Sequence, residues 1–249
     1  MEESPLHQFE LHNWIPISVG GLDISINKAV IFMWIVVALA SVIMVMAGSS
    51  RKLVPGKLQS LAEMMVDFIR NMILDTMGKD GMRFFPLVAT LFVFILFSNY
   101  IGLIPGTYTV TSQIIVTAVF SCLVYGLSLV VGFWLHGARF LGILVPPGTP
   151  GWLLPLMIPI EIISQLARPI SLAVRLFANM TAGHVMLAVL FSLTIGGGLL
   201  IGWLPFVFTV AIYGLEFGIA FIQAYIFTIL TCVYLGDAFH LHGHEEHAH

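Results

Sequence analysis

Long apolar runs dominate the chain, and short polar segments separate them. The runs at 29–47, 84–104 and 110–135 each have about the length that one crossing of a bilayer needs. Two later runs, at 152–193 and 203–239, stay apolar for much longer. This pattern predicts an all-α polytopic membrane protein with about five membrane-embedded helices.

Segment 58–77 has a different pattern, because charged residues recur between its apolar ones. An apolar stripe at helical spacing, with Glu63, Asp67 and Arg70 on other faces, is typical of an amphipathic helix. Such a helix buries its apolar face at the boundary between lipid headgroups and acyl chains. We therefore expect 58–77 to lie at the membrane interface and not to cross the bilayer.

Composition extends this interpretation to the whole chain. Of its residues, 59% are hydrophobic and only 9% are charged, whereas soluble domains carry about 25% charged residues. Residues 1–249 are therefore interpreted as one membrane domain surrounded by lipid. The net charge of −3 comes with no basic patch, so we expect no nucleic-acid partner. We also expect no cofactor and no metal site.

The distribution of basic residues predicts the orientation. Six Lys and Arg residues lie between the first and second spans, and such an excess is typical of cytoplasmic loops. Five crossings then place the N-terminal segment 1–28 outside and the tail 240–249 in the cytoplasm. The tail alternates His with carboxylates and could bind a transition metal, but a solvated terminus is the simpler interpretation.

The two longest runs cannot cross a bilayer upright. As a helix, 152–193 would measure about 60 Å, roughly twice the hydrocarbon thickness. Length alone leaves two arrangements open, a pair of kinked helices or a strongly inclined hairpin. Kinks are possible at the prolines within these runs, which are Pro155, Pro159, Pro169 and Pro205.

A few polar residues follow one face of each long run. Glu161, Arg168 and Arg175 are seven residues apart, which keeps them within about 20° per step on a helix. The second run has an isolated carboxylate, Glu216, with Gln223 seven residues later. The first stripe is completed by residues on or beside the same face, which are Ser164, Gln165, Ser171 and Asn179.

Arg175 is the charge that most needs an explanation. Placing a guanidinium at the bilayer centre costs about 2.5 to 3.5 kcal/mol on insertion scales, and Arg does not lose its proton to avoid this cost. Intramembrane ionisable groups usually belong to ion or proton pathways. In the alternative interpretation, Glu161, Arg168, Arg175, His184 and Glu216 neutralise one another and lock a helical hairpin without any role in transport.

Small residues lie beside both polar sites. Gly214 and Gly218 bracket Glu216 in a G-x-x-x-G pattern, and Ala178, Ala182 and Gly183 follow Arg175. Small side chains let another helix backbone approach closely. The spacing does not decide whether that helix belongs to another subunit or to this chain.

The run from Pro169 to His184 reads PISLAVRLFANMTAGH and is followed by Glu216 and by Gln223-Ala-Tyr-Ile-Phe. Together with SNYIGLIP at 98–105 and HQFE at 7–10, this run resembles subunit a of F-type ATP synthases, the membrane stator that faces the rotating c-ring. The resemblance covers essentially the whole chain. It implies a steeply inclined hairpin against the c-ring, the peripheral-stalk subunit b as a second partner, and the bacterial inner membrane in preference to the mitochondrial one.

The family's functional residues have counterparts at matching positions. The resemblance implies that Arg175 is the family's essential arginine and that Asn179 is the asparagine one turn later. Glu161 matches the acidic residue near the cytoplasmic half-channel, and Gln223 matches the glutamine that packs close to the arginine. The subunit itself is not catalytic, because ATP is made elsewhere in the complex.

One pair of residues is exchanged. Some family members have Glu where this chain has His184, and His where it has Glu216. The resemblance therefore implies that an imidazole and an acid face each other in the outer half-channel, which favours protons over sodium. Asn99 and Arg168 are secondary candidates for residues that take part in proton translocation. Gly102 departs from members with an acidic residue at that place, so no proton-carrying role is assigned to it.

These residues predict a stator with two proton half-channels that Arg175 separates. Protons would enter from outside past His184 and Glu216, neutralise a ring carboxylate and leave past Glu161. The alternative is a self-contained secondary transporter or ion channel, for which we would expect inverted repeats or broken helices. A purely structural membrane anchor would make Arg175 dispensable.

Overall fold

Six α-helices make up most of the described chain in a computed structural model. The structure describes residues 13–15, 18–19, 22–23, 25–49, 56–104, 107, 109–145, 150–198 and 202–239. The helices are α1 (Lys28–Ser49), α2 (Lys57–Met77), α3 (Phe85–Gly102), α4 (Ile114–His136), α5 (Leu154–Gly196) and α6 (Trp203–Phe239). Five helical segments are long and apolar enough to cross a membrane, so the predicted all-α polytopic class is confirmed.

Two short antiparallel strand pairs precede α1. Strand β1 (Asn13–Ile15) pairs with β4 (Ile26–Asn27), and β2 (Ser18–Val19) pairs with β3 (Leu22–Asp23). The apolar pattern contains no signal for them, because each strand has only two or three residues.

The HQFE motif at 7–10 and the His-rich tail at 240–249 lie outside the described residues.

Helix α4 begins later than the apolar pattern predicts. Residues Val110–Ser112 form a single 3₁₀ turn, Gln113 is extended, and the α-helix begins at Ile114 and not at 110. The Ser112 hydroxyl donates to the Thr109 carbonyl at 2.7 Å. Side-chain hydrogen bonds of this kind compete with helical backbone bonds, which explains why hydroxyl-bearing residues delay the helix although they are surrounded by apolar ones.

Helix α6 packs against α2, α3, α4 and α5 and so occupies the centre of the fold. Aromatic side chains fill the contact with α2 and α3: Phe68 lies within 6.1 Å of the Phe92, Phe221 and Tyr225 rings, measured between ring centroids. The Phe92 and Phe221 rings meet edge to face. Such pairs stabilise the packing by about 0.5 to 1.5 kcal/mol beyond their burial, and they fix the rotation of α6.

Helices α5 and α6 form an antiparallel hairpin. Helix α5 has 43 residues, about 65 Å, and is continuous although Pro159 and Pro169 lie inside it. This length is about twice the hydrocarbon thickness, so α5 cannot stand upright in a bilayer. Gly198, with φ +58, is part of the turn that reverses the chain. The broken helices expected of a secondary transporter are therefore not seen in the described parts of α5 and α6.

Candidate functional site

The hairpin holds the ionisable residues at successive levels. A cluster of buried residues joins Met180 of α5 to Ala220 of α6, and the Gln223 side chain bonds to the backbone of α5 at Arg175. Towards the turn that joins the two helices, residue numbers rise along α5 and fall along α6. Glu216 therefore lies nearer to the turn than this level, and Asp237 lies farther from it. We call the side towards the turn that contains Gly198 the turn side, and the opposite side the base side.

Arg175 lies in the middle level on an exposed face of α5, with Asn179 exposed one turn later. Gln223, only 4% exposed, donates a hydrogen bond from Nε2 to the Arg175 carbonyl at 3.2 Å. Gln223 therefore fixes the backbone that carries the guanidinium. Among the described residues, no carboxylate oxygen lies within 4.0 Å of the Arg175 guanidinium nitrogens.

The exposed face around Arg175 includes small residues that no described part of the chain covers. Ala178 and Ala182 of α5 are exposed, as are Gly214 and Gly218 of α6. A Cβ placed on either glycine would meet no described atom within 4 Å. Packing within this chain therefore does not explain Gly214 and Gly218.

On the base side, Arg168 lies between two carboxylates. Its Nη1 is 3.6 Å from Asp237 Oδ2 and its Nη2 is 4.0 Å from Glu161 Oε1. Gln165 donates from Nε2 to the same Glu161 oxygen at 2.9 Å. Ion pairing within the chain thus accounts for Arg168 and Glu161, as the alternative interpretation proposed, but it does not account for Arg175.

Two tyrosines complete the base-side cluster. The Arg168 guanidinium carbon lies 5.7 Å from the centroid of the Tyr234 ring, and the Tyr125 hydroxyl donates to Gln165 Oε1 at 3.5 Å. A cavity of about 250 Å³ adjoins them. The sequence interpretation missed Asp237 and both tyrosines. Asp237 had a usable signal, since it follows Gln223 by fourteen residues and so continues the seven-residue spacing of α6.

On the turn side, Glu216 is buried between the helices. It is 8% exposed, and its Oε1 has no hydrogen-bond partner among the described residues. The carboxyl group lies against Gly183, where a Cβ would overlap it. Gly183 therefore packs against another helix of this chain. Because Gly183 has no side chain, the α5 backbone beside His184 can lie directly against the Glu216 carboxyl group.

His184 contacts the segment that follows α3. Its Nε2 is 2.5 Å from Thr109 Oγ1. A Cβ on Gly102 would overlap the Thr109 side chain, so this place has no room for an acidic residue. A cavity of about 380 Å³ lies beside His184, and its polar lining comes from Thr107, Ser192, Thr209 and Tyr213.

Asn99 is completely buried and links three elements. Its Nδ2 donates to the Ala220 carbonyl of α6 at 3.3 Å, and its Oδ1 accepts from the Thr111 hydroxyl at 2.9 Å. These bonds join α3, the 3₁₀ turn before α4 and the part of α6 one turn after Glu216. Asn99 therefore has a structural role at the turn side, next to the ionisable residues.

The three levels differ in the chemistry that their residues allow. An imidazole and a carboxylate both gain and lose protons readily, so His184 and Glu216 are suited to a proton path. A guanidinium stays charged and does not pass a proton on. Along the axis of α5, Arg175 is about 14 Å from His184 and about 21 Å from Glu161. A permanent cation therefore lies between two groups of titratable residues along the hairpin.

The chain is similar to known proteins over nearly its full length. A protein named ATP synthase subunit a from Rhizobium etli (strain CIAT 652) is 52% identical over 254 residues, which cover 98% of this chain and 100% of the relative. A relative of the same name from Brucella ovis (strain ATCC 25840 / 63/290 / NCTC 10512) is 51% identical over 246 residues, covering 96% and 99%. The model of the ATP synthase A chain family matches residues 30–236. The chain therefore belongs to the ATP synthase A chain family.

Proposed function

We propose that this chain is the Fo stator subunit that carries protons to and from a rotating c-ring along the α5–α6 hairpin. The observation that carries the proposal is the environment of Arg175. The guanidinium lies on an exposed face that includes small residues, and no described carboxylate lies within 4.0 Å of it. A carboxylate on the ring would supply the missing partner, and the small residues would let the ring helices approach.

Arg175 separates two proton paths in this proposal. A permanent cation beside an arriving ring carboxylate favours its ionised form, so the proton leaves before that site passes. The guanidinium cannot carry the proton across, because it does not deprotonate. Gln223 holds the backbone of Arg175, and Asn179 extends the polar face by one turn.

The turn side would be the entry path from outside. His184 and Glu216 lie there, and the cavity of about 380 Å³ beside His184 is large enough to hold water. Asn99 would hold α6 in register near Glu216 through its bond to the Ala220 carbonyl. Because an imidazole gains and loses its proton near neutral pH, a pair that contains His184 favours protons over sodium.

The base side would be the exit path to the cytoplasm. Glu161 receives the proton there, and Asp237 is a second acid beside the same Arg168 that can take over this role. This orientation places the N-terminus outside and the C-terminus in the cytoplasm of a bacterial inner membrane, as the basic residues between α1 and α3 suggest. Subunit b of the peripheral stalk would hold the chain against the torque of the ring.

Energy comes from the proton gradient and not from chemistry in this subunit. Each proton that crosses the membrane releases about 2.3 kcal/mol per 100 mV. Several protons must therefore pass for each ATP, which is made elsewhere in the complex. The chain itself is proposed to be non-catalytic.

The direct functional test replaces Arg175 by Ala. We expect proton-driven ATP synthesis in membrane vesicles to fall by about 100-fold or more, because removal of one preorganised charge contact commonly has that effect. Arg70→Ala is the matched control, since Arg70 is an exposed arginine on α2. Synthesis near the wild-type rate in the Arg175→Ala vesicles would contradict the proposal.

Co-purification with a ring of small hairpin proteins should also distinguish a stator from a transporter.

A second test asks whether His184 and Glu216 share one path. His184→Ala and Glu216→Ala should each slow proton uptake, and the double variant should be little worse than the poorer single variant. Multiplication of the two single effects in the double variant would contradict a shared path.

A further inference from the structure

Thr109 is a buried hydroxyl beside the residue proposed to receive protons from outside. It is 4% exposed, and its Oγ1 lies 2.5 Å from His184 Nε2. The same oxygen lies 3.3 Å from the Gly102 carbonyl, to which it donates. Thr109 therefore connects the imidazole to the backbone at the end of α3.

The two contacts of this hydroxyl determine where the protons are. A threonine hydroxyl has one proton, and a carbonyl oxygen can only accept. If the Thr109 proton is directed to Gly102, the Thr109 oxygen accepts a hydrogen bond from His184 Nε2–H. A neutral imidazole has one N–H group, so Nδ1 is then the nitrogen without a proton.

We propose that Thr109 is a positioning residue that keeps a proton on His184 Nε2, so that His184 gains and loses its transported proton at Nδ1. This inference rests on the proposed role of His184 in the outer proton path. In each cycle a proton binds to Nδ1, the ring becomes an imidazolium, and a proton leaves from Nδ1 to the next carrier. The Nε2–H group stays bonded to Thr109 throughout.

The surrounding packing holds Thr109 in place. A Cβ on Gly102 would overlap its side chain, so the glycine leaves space for the hydroxyl to reach the carbonyl. The Thr109 carbonyl accepts from the Ser112 hydroxyl at 2.7 Å, and Thr111 bonds to the buried Asn99. These bonds hold the backbone that carries the Thr109 hydroxyl, and a hydroxyl held in place determines which ring nitrogen of His184 is protonated.

The titratable groups around His184 come from the neighbouring helix. Glu216 of α6 lies against Gly183, the residue before His184, and Tyr213 of α6 lines the same cavity as the imidazole. Either group could exchange a proton with Nδ1. The segment after α3 contributes the neutral Thr109, which is suited to orienting the ring and not to carrying a charge.

The functional test compares Thr109→Val with Thr109→Ser in the assembled Fo complex reconstituted into vesicles. Val keeps the shape and removes the hydroxyl, whereas Ser keeps the hydroxyl. We expect Thr109→Val to slow proton uptake by about two- to tenfold, the range for loss of one hydrogen bond, and Thr109→Ser to restore most of the rate. In a His184→Ala background, Thr109→Val should have no further effect on uptake.

These outcomes separate the inference from the proposed function. If His184→Ala leaves proton uptake unchanged, the proposed outer path is wrong. If His184→Ala slows uptake but Thr109→Val slows it equally with and without His184, Thr109 acts independently of the imidazole and the inference is wrong. Equal loss of rate in Thr109→Ser and Thr109→Val would also contradict it, because the hydroxyl would then be irrelevant.

A spectroscopic measurement tests the inference without reference to activity. Nitrogen-15 spectra of the histidine-labelled complex report which ring nitrogen carries the proton, and the His184 signals are those that disappear in His184→Ala. We expect the neutral ring to carry its proton on Nε2 in the native complex and a mixture of both tautomers in Thr109→Val. A native ring protonated mainly on Nδ1, or a tautomer unchanged by Thr109→Val, would overturn the inference.

Discussion

On the base side of Arg175, Arg168 lies between the carboxylates of Asp237 and Glu161, and the Arg168 and Asp237 side chains are 34% and 47% exposed. On the turn side, Glu216 is 8% exposed and its Oε1 has no hydrogen-bond partner among the described residues. The base side thus has a partly exposed ionic cluster with two acids, whereas on the turn side the described acid Glu216 is buried. Loss of a single group should therefore be tolerated on the base side and not on the turn side.

The largest effect is expected from Glu216→Gln. This change keeps the size of the side chain but removes the carboxylate that lies against Gly183 on the turn side. Proton-driven ATP synthesis should fall by about 100-fold or more, as is typical when a positioned proton-transfer group is lost. Glu63→Gln on the exposed face of α2 is the matched control and should have little effect. A fall of less than about threefold in Glu216→Gln would remove the contrast between the two sides.

Gly183→Ala is expected to have the next largest effect. A Cβ at this place would overlap the Glu216 carboxyl group, so the carboxylate or helix α5 must move. We expect ATP synthesis to fall by about tenfold, because a shift of about 1 Å in a reacting group can be that costly. Gly126→Ala on α4 is the control, since a Cβ there meets no described atom within 4 Å. Equal rates in the two variants would mean that the position of Glu216 is not critical.

A smaller effect, on stability, is expected from Asn99→Leu. The change leaves the Ala220 carbonyl and the Thr111 hydroxyl without their bonds to Asn99. Loss of a partner for a buried polar group costs about 1 to 3 kcal/mol, so the detergent-solubilised complex should unfold at a lower temperature. If Asn99→Leu is no less stable than Arg168→Gln, the turn side does not depend on single groups more than the base side does.

The smallest effect is expected from Asp237→Asn. Arg168 keeps Glu161 as a partner, and exposed ion pairs contribute about 0 to 1 kcal/mol. ATP synthesis should fall by no more than about two- to threefold. The double variant Asp237→Asn with Glu161→Gln should be far slower than either single variant. A single variant as slow as the double one would show that the two acids do not substitute for each other.

Periodicity along one helix predicted much of this site. The spacing of Glu161, Arg168 and Arg175 indicated one face of α5, and the structure places Glu161 and Arg168 4.0 Å apart on it. The apolar runs also predicted the fold class. These features follow from local geometry, since the repeat of an α-helix is fixed and a charge in an apolar run is easily recognised.

Contacts between helices could not be predicted in the same way. Thr109 gives no signal, because a hydroxyl is common in apolar runs and its bond to His184 depends on how the segment after α3 lies against α5. The pairing of Asp237 with Arg168 depends on the register between α5 and α6. Rotation and register of neighbouring helices arise from packing over their whole length, so neither is contained in the pattern of one helix.

The central claim is that the exposed face around Arg175 is covered by a ring of carboxylate-bearing helices. The most direct measurement is a structure of the assembled Fo complex, in which the distance from the Arg175 guanidinium to the nearest ring carboxylate oxygen is determined in each rotational state. We expect a separation of about 4 Å in at least one state, or about 6 Å with a bridging water. Lipid over this face, or helices without any ionisable group near Arg175 in every state, would contradict the account.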